Sequence, residues 1–324
     1  MKKGPGFFPE EIIFALTDEC NLHCPHCFVS RHKNYLDSEK AISFLKSCRE
    51  NNSPVNTIGF TGGEPFLNLD FILNIVKYAV KNDFTFDRIM TNGVWWNNKN
   101  ELEEKLKLLY DAGYDGKFGL SWDSFHGQSV EDILTFIKSL YKIFNNPQCL
   151  EIQSVVYKKE NSKFCEDEFL NKIDLLAQEL LCDEEIITNK KTGCGTIVLE
   201  GENIFIPIYR RPVTYSANST KAFKDKKWFK EDFCQGPGQI LFVHPSGNIA
   251  PCCGFANENK ELFIGNISMP WNEIKNNALE NKMIDLCYSK GLSFALKFCK
   301  KNLPGRTKDP CTFCDWLCKN YNQI

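Results

Sequence analysis

The sequence lacks both a long apolar run and an excess of charge of one sign. No apolar stretch reaches the roughly 18 residues that a membrane-spanning helix needs, and the first residues, MKKGPGFFPEE, contain no long apolar segment of the kind found in signal peptides. Lysine and arginine number 39 and aspartate and glutamate 41, which gives a formal net charge of −2. These absences argue against a membrane protein, an exported protein and a nucleic-acid-binding protein. We therefore expect a cytoplasmic protein without membrane or nucleic-acid partners.

Cysteine, by contrast, is abundant, with 16 in the chain. Because no export signal is found, a disulfide framework is not expected, and reduced thiols that ligate a metal or a cluster are the better interpretation. Three cysteines lie within residues 20–27, and eight lie between residues 234 and 318. The other five are predicted to be small buried residues; they are Cys48, Cys149, Cys165, Cys182 and Cys194.

Short β-rich runs alternate with helical patterns over the first two thirds of the chain. Strands are predicted at 11–17, 56–61, 87–91, 117–122, 149–157 and 203–208, and the helices between them at about 38–48, 69–82, 101–113, 130–144 and 166–181. Such alternation is typical of parallel strands with right-handed crossovers. Six βα units are too few for a closed eight-stranded barrel. The sequence therefore predicts an α/β fold built as an open partial (βα)6 barrel.

The character of the sequence changes after the last predicted strand. Residues 209–233 are polar, basic and weakly periodic. Beyond them, QILFVHPSGNIAPC predicts a β-hairpin with its turn at Pro245–Gly247, followed by short helices and a cysteine-rich tail. We predict a barrel domain over 1–210, a bridging segment over 211–233, and a small cysteine-rich domain over 234–324.

The loop after the first predicted strand reads C-N-L-H-C-P-H-C and places thiols at Cys20, Cys24 and Cys27. Three cysteine ligands leave one iron of a 4Fe–4S cluster without a protein ligand, so that a small chelating molecule can bind it. Spacing alone also allows a zinc site. Its fourth ligand would be His23, His26 or His32.

The end of the second predicted strand carries the sequence T-G-G-E-P, residues 61–65. Gly62 and Gly63 allow a close backbone approach to a bound molecule, and the carboxylate of Glu64 can accept a hydrogen bond from an ammonium group. Following a CxxxCxxC loop, this motif makes residues 10–210 resemble the radical S-adenosylmethionine (SAM) superfamily. The resemblance implies that the three cysteines hold a 4Fe–4S cluster, that SAM chelates its open iron, and that the Gly62–Glu64 region binds the SAM amino group.

The resemblance extends to three further places in the predicted barrel. His26 stands just before the third cysteine, where the family prefers an aromatic residue. The sequences T-N-G (91–93) and S-W-D-S-F-H (121–126) follow the third and fourth strands, at the strand ends where barrel enzymes place their sites. Asn92, Ser121 and Asp123 are candidates to hydrogen-bond SAM or the substrate backbone. The alternative is that these polar side chains only cap and shape their loops.

The cysteine-rich region resembles the auxiliary-cluster domain of the SPASM/twitch branch of the superfamily. The resemblance rests on Cys234, a hairpin leading to Cys252, and the distal pair Cys311 and Cys314. It implies that these four cysteines hold a second, auxiliary 4Fe–4S cluster. A structural zinc ion fits the same spacing. Two alternatives are also left open, since Cys318 can replace Cys314 and the role of Cys299 is undecided.

Cys253 directly follows one predicted ligand. Consecutive side chains of an extended chain point to opposite faces, so Cys253 is predicted to turn away from the cluster. There it is either a bystander or a thiol that donates a hydrogen atom to a substrate radical.

These features together most resemble the epipeptide-type radical SAM peptide epimerases. The resemblance implies an isomerase that converts L-residues of a ribosomally made precursor peptide into D-residues. A 5′-deoxyadenosyl radical removes the Cα hydrogen, a cysteine thiol returns one to the opposite face, and a donor such as flavodoxin or ferredoxin supplies electrons. One departure is that residues 235–240 read QGPGQI, where the family has an acidic residue.

Two other functions are compatible with the sequence. One is an oxidative peptide maturase that forms thioether or carbon–carbon crosslinks. The other is a non-catalytic iron–sulfur carrier or sensor, against which the Gly-Gly-Glu motif argues because a carrier needs no SAM pocket.

Overall fold

The computed structural model describes residues 6–29, 32–156, 163–189, 192–234, 238–299 and 302–320. The chain divides into two compact units. The barrel unit comprises Leu16–Asn34 and Gly59–Val213, and the C-terminal unit comprises Met1–Ala15, Tyr35–Ile58 and Thr214–Ile324. Cys165 lies outside the residues whose side chains are described, as do Tyr157 and Gln235–Pro237.

In chain order, the strands are β1 (Glu11–Ala15), β2 (Thr57–Thr61), β3 (Thr85–Thr91), β4 (Lys117–Ser121), β5 (Leu150–Val156), β6 (Asp183–Thr188), β7 (Gly195–Gly201), β8 (Ile204–Pro212), β9 (Ile240–Val243), β10 (Asn248–Ala250) and β11 (Gly265–Asn266). The α-helices are α1 (Ser38–Glu50), α2 (Leu69–Lys81), α3 (Lys99–Asp111), α4 (Val130–Phe144), α5 (Lys163–Leu180), α6 (Trp271–Glu280), α7 (Lys282–Ile284), α8 (Leu292–Cys299) and α9 (Pro310–Asn320). Among the described residues, no helix has the length and apolarity needed to cross a membrane.

The barrel unit is built on parallel strands. β3, β4, β5 and β8 pair in parallel, with Leu120 opposite Ile152 and Ile152 opposite Ile208. These three side chains are fully buried. Residues that are paired across neighbouring strands point to the same face of the sheet. Leu120, Ile152 and Ile208 therefore form one apolar row, on the side of the sheet that helices cover. The predicted α/β partial barrel is confirmed.

One part of the barrel unit departs from the prediction. The sequence suggested that α5 leads directly to the strand near residue 203, whereas an antiparallel hairpin of β6 and β7 intervenes. β7 also pairs antiparallel with β8, so the hairpin extends the sheet to an edge at β6. The pattern was missed because residues 183–187 of β6 are all exposed, and a strand with no buried face has no apolar alternation to detect.

The C-terminal unit is organised around a contact between distant parts of the chain. β9 pairs in parallel with β1, from Glu11 opposite Ile240 to Phe14 opposite Val243. The predicted hairpin is confirmed, since β10 returns antiparallel to β9 after the turn at Pro245–Gly247. Gly247 has a φ of +84°, a conformation that suits glycine.

This pairing explains why the structural division differs from the predicted boundaries at residues 210 and 233. The predicted division follows the order of motifs, but β1 and α1 are grouped with residues 214–324 in one compact unit. The β1–β9 pairing brings together segments that lie far apart in sequence. The assignment of one cluster to residues 1–210 and another to 234–324 stays a prediction.

The β1–β9 pairing predicts that residues 1–233 do not form a stable fragment. A chain that ends at residue 233 lacks β9 and uncovers one edge of β1, whose Ile12 and Phe14 are fully buried in the intact chain. Each such side chain contributes about 1.5–3 kcal/mol by its burial, and an unpaired strand edge promotes aggregation. We expect this fragment to aggregate in size-exclusion chromatography while the full chain elutes as a folded species. A soluble monomeric fragment with the far-UV circular dichroism of a folded α/β protein would contradict the pairing.

Candidate functional site

Backbone hydrogen bonds hold the cysteine loop against the end of β2. Leu16 N donates to Thr61 O at 3.0 Å, Gly63 N donates to Thr17 O at 2.7 Å, and Glu64 N donates to Glu19 O at 2.8 Å. The last contact lies one residue before Cys20. The three bonds therefore fix where the first predicted ligand stands.

The two glycines of the Gly-Gly-Glu motif are required by this contact. A Cβ on Gly62 would lie 2.5 Å from Thr17 O, and one on Gly63 would lie 2.1 Å from Glu19 O. No side chain fits at either distance. The close approach expected from the sequence is present, and its observed partner is the backbone of the cysteine loop. Binding of SAM by Gly62 and Gly63 stays a prediction.

Glu64 is fully buried and ties β2 to the end of β3. Its Oε1 accepts from Phe66 N at 3.1 Å and Thr91 Oγ1 at 2.8 Å, and its Oε2 accepts from Asn92 N at 2.7 Å. Burial raises the pKa of this carboxyl to about 7, although the hydrogen bonds from Asn92, Phe66 and Thr91 oppose the shift. Glu64 thus positions the turn that carries Asn92.

Asn92 in turn contacts the cysteine loop. Its Nδ2 donates to Asn21 Oδ1 at 2.8 Å and to Cys20 Sγ at 3.7 Å. Leu22 N also donates to Cys20 Sγ, at 3.4 Å. Two N–H groups directed at one sulfur stabilise a thiolate, which is the form that ligates iron. The surroundings of Cys20 therefore fit a cluster ligand.

The other two predicted ligands lie in the following turn. Cys27 N donates to Cys24 O at 3.0 Å. Cys24 is partly buried and Cys27 is exposed. In a 4Fe–4S cluster each thiolate binds a different iron, whereas the ligands of a single metal ion must converge on one point. Three thiols spread along this loop therefore fit the cluster.

Asp123 is buried, and its carboxylate is hydrogen-bonded to residues of its own loop and of β5. Oδ1 accepts from Phe125 N and lies 2.8 Å from His126 Nδ1, and Oδ2 accepts from Val155 N at 3.2 Å. Burial opposes ionisation of Asp123, but the hydrogen bonds from His126 and Phe125 and the neighbouring imidazoles of His126 and His26 together outweigh it and lower the pKa. Burial likewise opposes the charge on His126, yet the hydrogen bond with Asp123 and the neighbouring Cys24 thiol together raise its pKa to about 9. These contacts match the loop-shaping alternative for Asp123.

His26 stands beside this pair. Its ring lies 5.0 Å from that of His126, and one ligand atom each of His26, Asp123 and His126 lies within 4.8 Å of the others. Burial lowers the pKa of His26. Its Nδ1 is buried and has no hydrogen-bond partner among the described residues, which leaves it available to a bound molecule.

Gln128 was missed from the sequence, where it belongs to no motif. Its Nε2 donates to Asn92 O at 2.6 Å and to Ser121 O at 2.8 Å. It thereby joins the ends of β3 and β4 through the backbone of two residues predicted to bind SAM. Its Oε1 is buried with no partner in the described part of the chain. An unsatisfied buried acceptor at this point fits the amino or hydroxyl donors of SAM.

In the C-terminal unit, the four predicted auxiliary ligands come together. Burial raises the pKa of the Cys311 thiol, and the neighbouring Asp309, Cys252, Cys314 and Cys234 raise it further, which places these cysteines near one another. A Cβ on Gly254 would lie 3.0 Å from Cys311 Sγ and 3.7 Å from Cys252 Sγ. Gly254 N donates to Cys252 Sγ at 3.3 Å, which repeats the arrangement of Leu22 and Cys20. This set of thiols fits a cluster of the kind predicted.

Helix α9 supplies three of the clustered thiols. Residues three and seven positions apart share one face of a helix, so Cys311, Cys314 and Cys318 lie along one side of α9. Cys318 interacts with Cys314 and Cys252, which keeps it as an alternative ligand. Cys299 is buried, and burial alone raises its pKa to about 11 with no thiol involved. These contacts favour Cys318 over Cys299 as a further member of the group.

The neighbouring cysteines of the Cys252–Cys253 pair differ in burial. Cys252 is 8% exposed, whereas Cys253 is an exposed residue. Protein atoms still crowd the Cys253 thiol, and this desolvation raises its pKa to about 12. The predicted divergence of the two side chains is consistent with this difference.

Comparison with known proteins places these features in a wider context. Residues 14–161 match the Radical SAM superfamily. The chain is 28% identical to the uncharacterized protein MJ0907 of Methanocaldococcus jannaschii over 75% of this chain and 84% of that protein. It is 25% identical to the GTP 3′,8-cyclase of Clostridium botulinum, over 86% and 89% of the two chains. It is 22% identical to the putative peptide biosynthesis protein YydG of Bacillus subtilis, over 76% and 70%.

Among solved structures, the fold is similar to that of anSMEcpe with bound AdoMet and the Cp18Cys peptide. The TM-score is 0.54 at 14% identity, with 97% of each chain covered. At this identity the likeness concerns the fold, a partial barrel followed by a cysteine-rich region.

The buried carboxyl of Glu64 predicts a pH dependence of stability. Its pKa is raised from 4.5 to about 7 on folding, so the folded state binds more protons between these values and the free energy of unfolding falls as pH rises through them. We expect the Glu64→Gln variant to lose this dependence, a difference of about 3 kcal/mol between pH 5 and 8.5. Denaturant unfolding of the metal-free protein at both pH values measures it. Exposed Glu104→Gln is the control, and parallel pH curves for wild type and Glu64→Gln would refute the assignment.

Proposed function

We propose that this protein is a radical SAM enzyme that converts L-residues of a ribosomally made peptide into D-residues. The observation that carries the proposal is the Cys252–Cys253 pair, in which one thiol is buried in the group of clustered cysteines and the next is exposed. A buried thiol beside other thiols suits a ligand. An exposed thiol one residue later suits a donor that must meet a substrate.

Two similarities support a peptide as the substrate. The structure of similar fold holds AdoMet together with a peptide. One relative is described as a putative peptide biosynthesis protein. The similarity to a GTP cyclase makes GTP the natural alternative substrate to test.

The residues of the barrel unit are assigned to the radical-generating site. Cys20, Cys24 and Cys27 would hold the cluster, and the bound cluster and SAM would supply a 5′-deoxyadenosyl radical. Further residues would bind and orient SAM: His26, Gly62, Gly63, Glu64, Asn92, Ser121 and Asp123, with Gln128 added by the structure. Of these, His26 and Gln128 offer buried polar atoms without partners among the described residues, whereas Glu64 and Asp123 act through the loops that they hold.

Cys253 is proposed to transfer a hydrogen atom to the substrate radical, in a sequence that accounts for every atom and electron. The substrate Cα–H bond breaks and its hydrogen ends on 5′-deoxyadenosine. The S–H bond of Cys253 then breaks, and its hydrogen forms a new Cα–H bond on the opposite face of the planar carbon radical. The resulting sulfur radical takes up one electron and one proton. That electron and the one used to cleave SAM come from a one-electron donor protein such as flavodoxin or ferredoxin.

In the C-terminal unit, Cys234, Cys252, Cys311 and Cys314 would hold the auxiliary 4Fe–4S cluster. Their mutual contacts and the N–H group of Gly254 support this set. The second candidate, an oxidative crosslinking enzyme, needs the same cluster to accept an electron. Product mass separates the two reactions, since epimerization leaves the peptide mass unchanged and a crosslink removes two hydrogens.

Changing Cys20, Cys24 and Cys27 together to alanine should abolish SAM cleavage, because the variant has no ligands for the iron that SAM chelates. The iron of the C-terminal unit should remain, at about half of the roughly eight irons expected in wild type. The measurements are 5′-deoxyadenosine by liquid chromatography, and iron and sulfide after anaerobic reconstitution. Continued 5′-deoxyadenosine formation by the triple variant would exclude this site.

Cys253→Ala should still cleave SAM but lose clean inversion. In deuterated water the thiol carries deuterium, so wild-type product should gain one mass unit per inverted residue, and the variant should give side products or uncoupled cleavage of SAM. Synthetic candidate precursor peptides are the substrates, assayed by mass spectrometry and chiral amino-acid analysis, with GTP in parallel.

Cys194→Ala, which changes a half-buried cysteine of the β6–β7 turn, is the matched control and should behave as wild type. Normal deuterated product from Cys253→Ala would make this thiol a bystander. A wild-type product lacking two hydrogens would favour crosslinking, and a modified GTP would contradict a peptide substrate.

A further inference from the structure

The sheet of the barrel unit ends in β6, a strand with an open edge. Among the described residues, β6 pairs with β7 and with no other strand. Alternate residues of a strand point to opposite faces of the sheet, and residues 183–187 are all exposed, so neither face of β6 is covered there. Two of the exposed side chains are the apolar Ile186 and Ile187. An uncovered edge strand of this kind is a template for pairing with another chain.

The register of the β6–β7 hairpin shows which backbone groups of β6 face the open edge. Asn189 N donates to Cys194 O at 2.8 Å, so these two residues form a hydrogen-bonded pair. Such pairs alternate along an antiparallel ladder, and every second residue before Asn189, beginning with Ile187, therefore bonds to β7. A Cβ on Gly195 would lie 2.2 Å from Ile187 O, which agrees with a carbonyl that faces β7. The residues whose N–H and C=O groups face the open edge are Glu184, Ile186 and Thr188.

An acidic and an apolar side chain stand two residues apart on this edge. Ile186 pairs with Ile197, which pairs with Ile208, so it points to the side of the sheet that helices cover elsewhere. Glu184 shares that face. Burial by neighbouring atoms, and after it the carboxylate of Asp174 on α5, raise the pKa of Glu184 to about 7. Two carboxylates this close repel each other, and a positively charged partner relieves the repulsion.

A chain added to β6 would lead to the proposed SAM site. β6 is antiparallel to β7 and β7 to β8, so β6 runs in the same direction as β8, β5 and β4. Its last residue, Thr188, therefore lies at the end of the sheet where Ser121 ends β4. The added chain would be five strand spacings from β4, or roughly 24 Å along the sheet. About seven or eight extended residues cover this distance. Lys190 and Lys191 follow β6 in the sequence, whereas Glu184 lies near the other end of the strand.

We propose that β6 binds a recognition segment of the precursor peptide as an added strand, with a basic side chain at Glu184 and an apolar one at Ile186. The inference rests on the proposed function in that the substrate is a peptide. Main-chain hydrogen bonds to the open edge would hold the segment, and the two side-chain positions would select it. The part of the peptide that continues past Thr188 would reach the proposed SAM site. Recognition and modification would thus use different parts of the peptide.

The test measures the binding of short labelled peptides to full-length, reconstituted enzyme by fluorescence anisotropy, above the pKa of Glu184. The probe carries lysine and valine two residues apart among threonines, and a matched peptide carries glutamate in place of the lysine. Wild type should bind the lysine peptide several-fold more tightly. Glu184→Gln should reduce this preference, because the charge that favours lysine is lost. Glu104→Gln, which changes an exposed carboxylate of α3, should keep it.

A proline variant tests the main-chain hydrogen bonds separately. Ile186→Pro removes an N–H group that faces the open edge and spares the bonds to β7, as proline does on edge strands. It should bind the lysine peptide about tenfold more weakly than Ile186→Ala, which also loses the isoleucine side chain but keeps the N–H group. Far-UV circular dichroism checks that both variants are folded.

The outcomes separate this inference from the proposed function. Equal binding by Ile186→Pro and Ile186→Ala, or equal binding of the two peptides by wild type, refutes the edge site whatever reaction the enzyme performs. If wild type binds the lysine peptide as expected but forms no D-residue in any candidate precursor, the proposed reaction is refuted and the edge site stands. A wild-type dimer that Ile186→Pro converts to monomers in size-exclusion chromatography overturns the inference, because the edge then joins two copies of this chain. Since Glu184→Gln leaves the backbone unchanged, it decides the question if Ile186→Pro fails to fold.

Discussion

The proposed SAM site depends on the close packing of the cysteine loop against the end of β2. The backbone of Gly62 and Gly63 approaches Thr17 and Glu19 so closely that no Cβ fits between them. From this contact the chain continues into Glu64, whose buried carboxylate fixes Asn92, and Asn92 contacts Cys20. The Gly-Gly-Glu motif therefore acts here as a support for the first predicted cluster ligand. Any direct contact with SAM is additional to that role.

A similar principle organises the C-terminal unit. Backbone N–H groups two residues after Cys20 and Cys252 donate to the sulfur of that cysteine. α9 aligns further thiols on one helical face, and its Asp315 is buried and accepts from Ala217 N at 2.8 Å and Asn259 Nδ2 at 2.9 Å. These bonds connect the helix to segments distant in sequence. Rigid support of this kind favours ligands that are positioned before a cluster binds.

The sequence predicted the parallel strands and the three barrel motifs because each has a local signal. Apolar alternation marks the strands, and glycine or cysteine spacing marks the loops. The β6–β7 hairpin was missed because residues 183–187 of β6 are all exposed. Gln128 was missed for a different reason. Its hydrogen bonds are with backbone atoms of other loops, and local spacing cannot reveal a long-range hydrogen bond.

The domain boundaries also depend on long-range contacts that local sequence signals cannot reveal. Motif order places the first strand with the barrel, whereas hydrogen bonding places β1 beside β9. A parallel pair between residues near 12 and residues near 241 has no local signature. Contacts and not sequence order therefore decide which segments fold together. This also explains why residues 1–58 contribute mainly to the C-terminal unit.

The central claim is that SAM binds one open iron of a cluster held by Cys20, Cys24 and Cys27. Mössbauer spectroscopy of protein reconstituted with iron-57 tests it most directly, because the signal reports the coordination of each iron. On addition of SAM, the account predicts that a single iron of one cluster changes its spectrum, while the auxiliary cluster stays unchanged. A spectrum that SAM leaves unaltered in fully loaded protein would contradict the account.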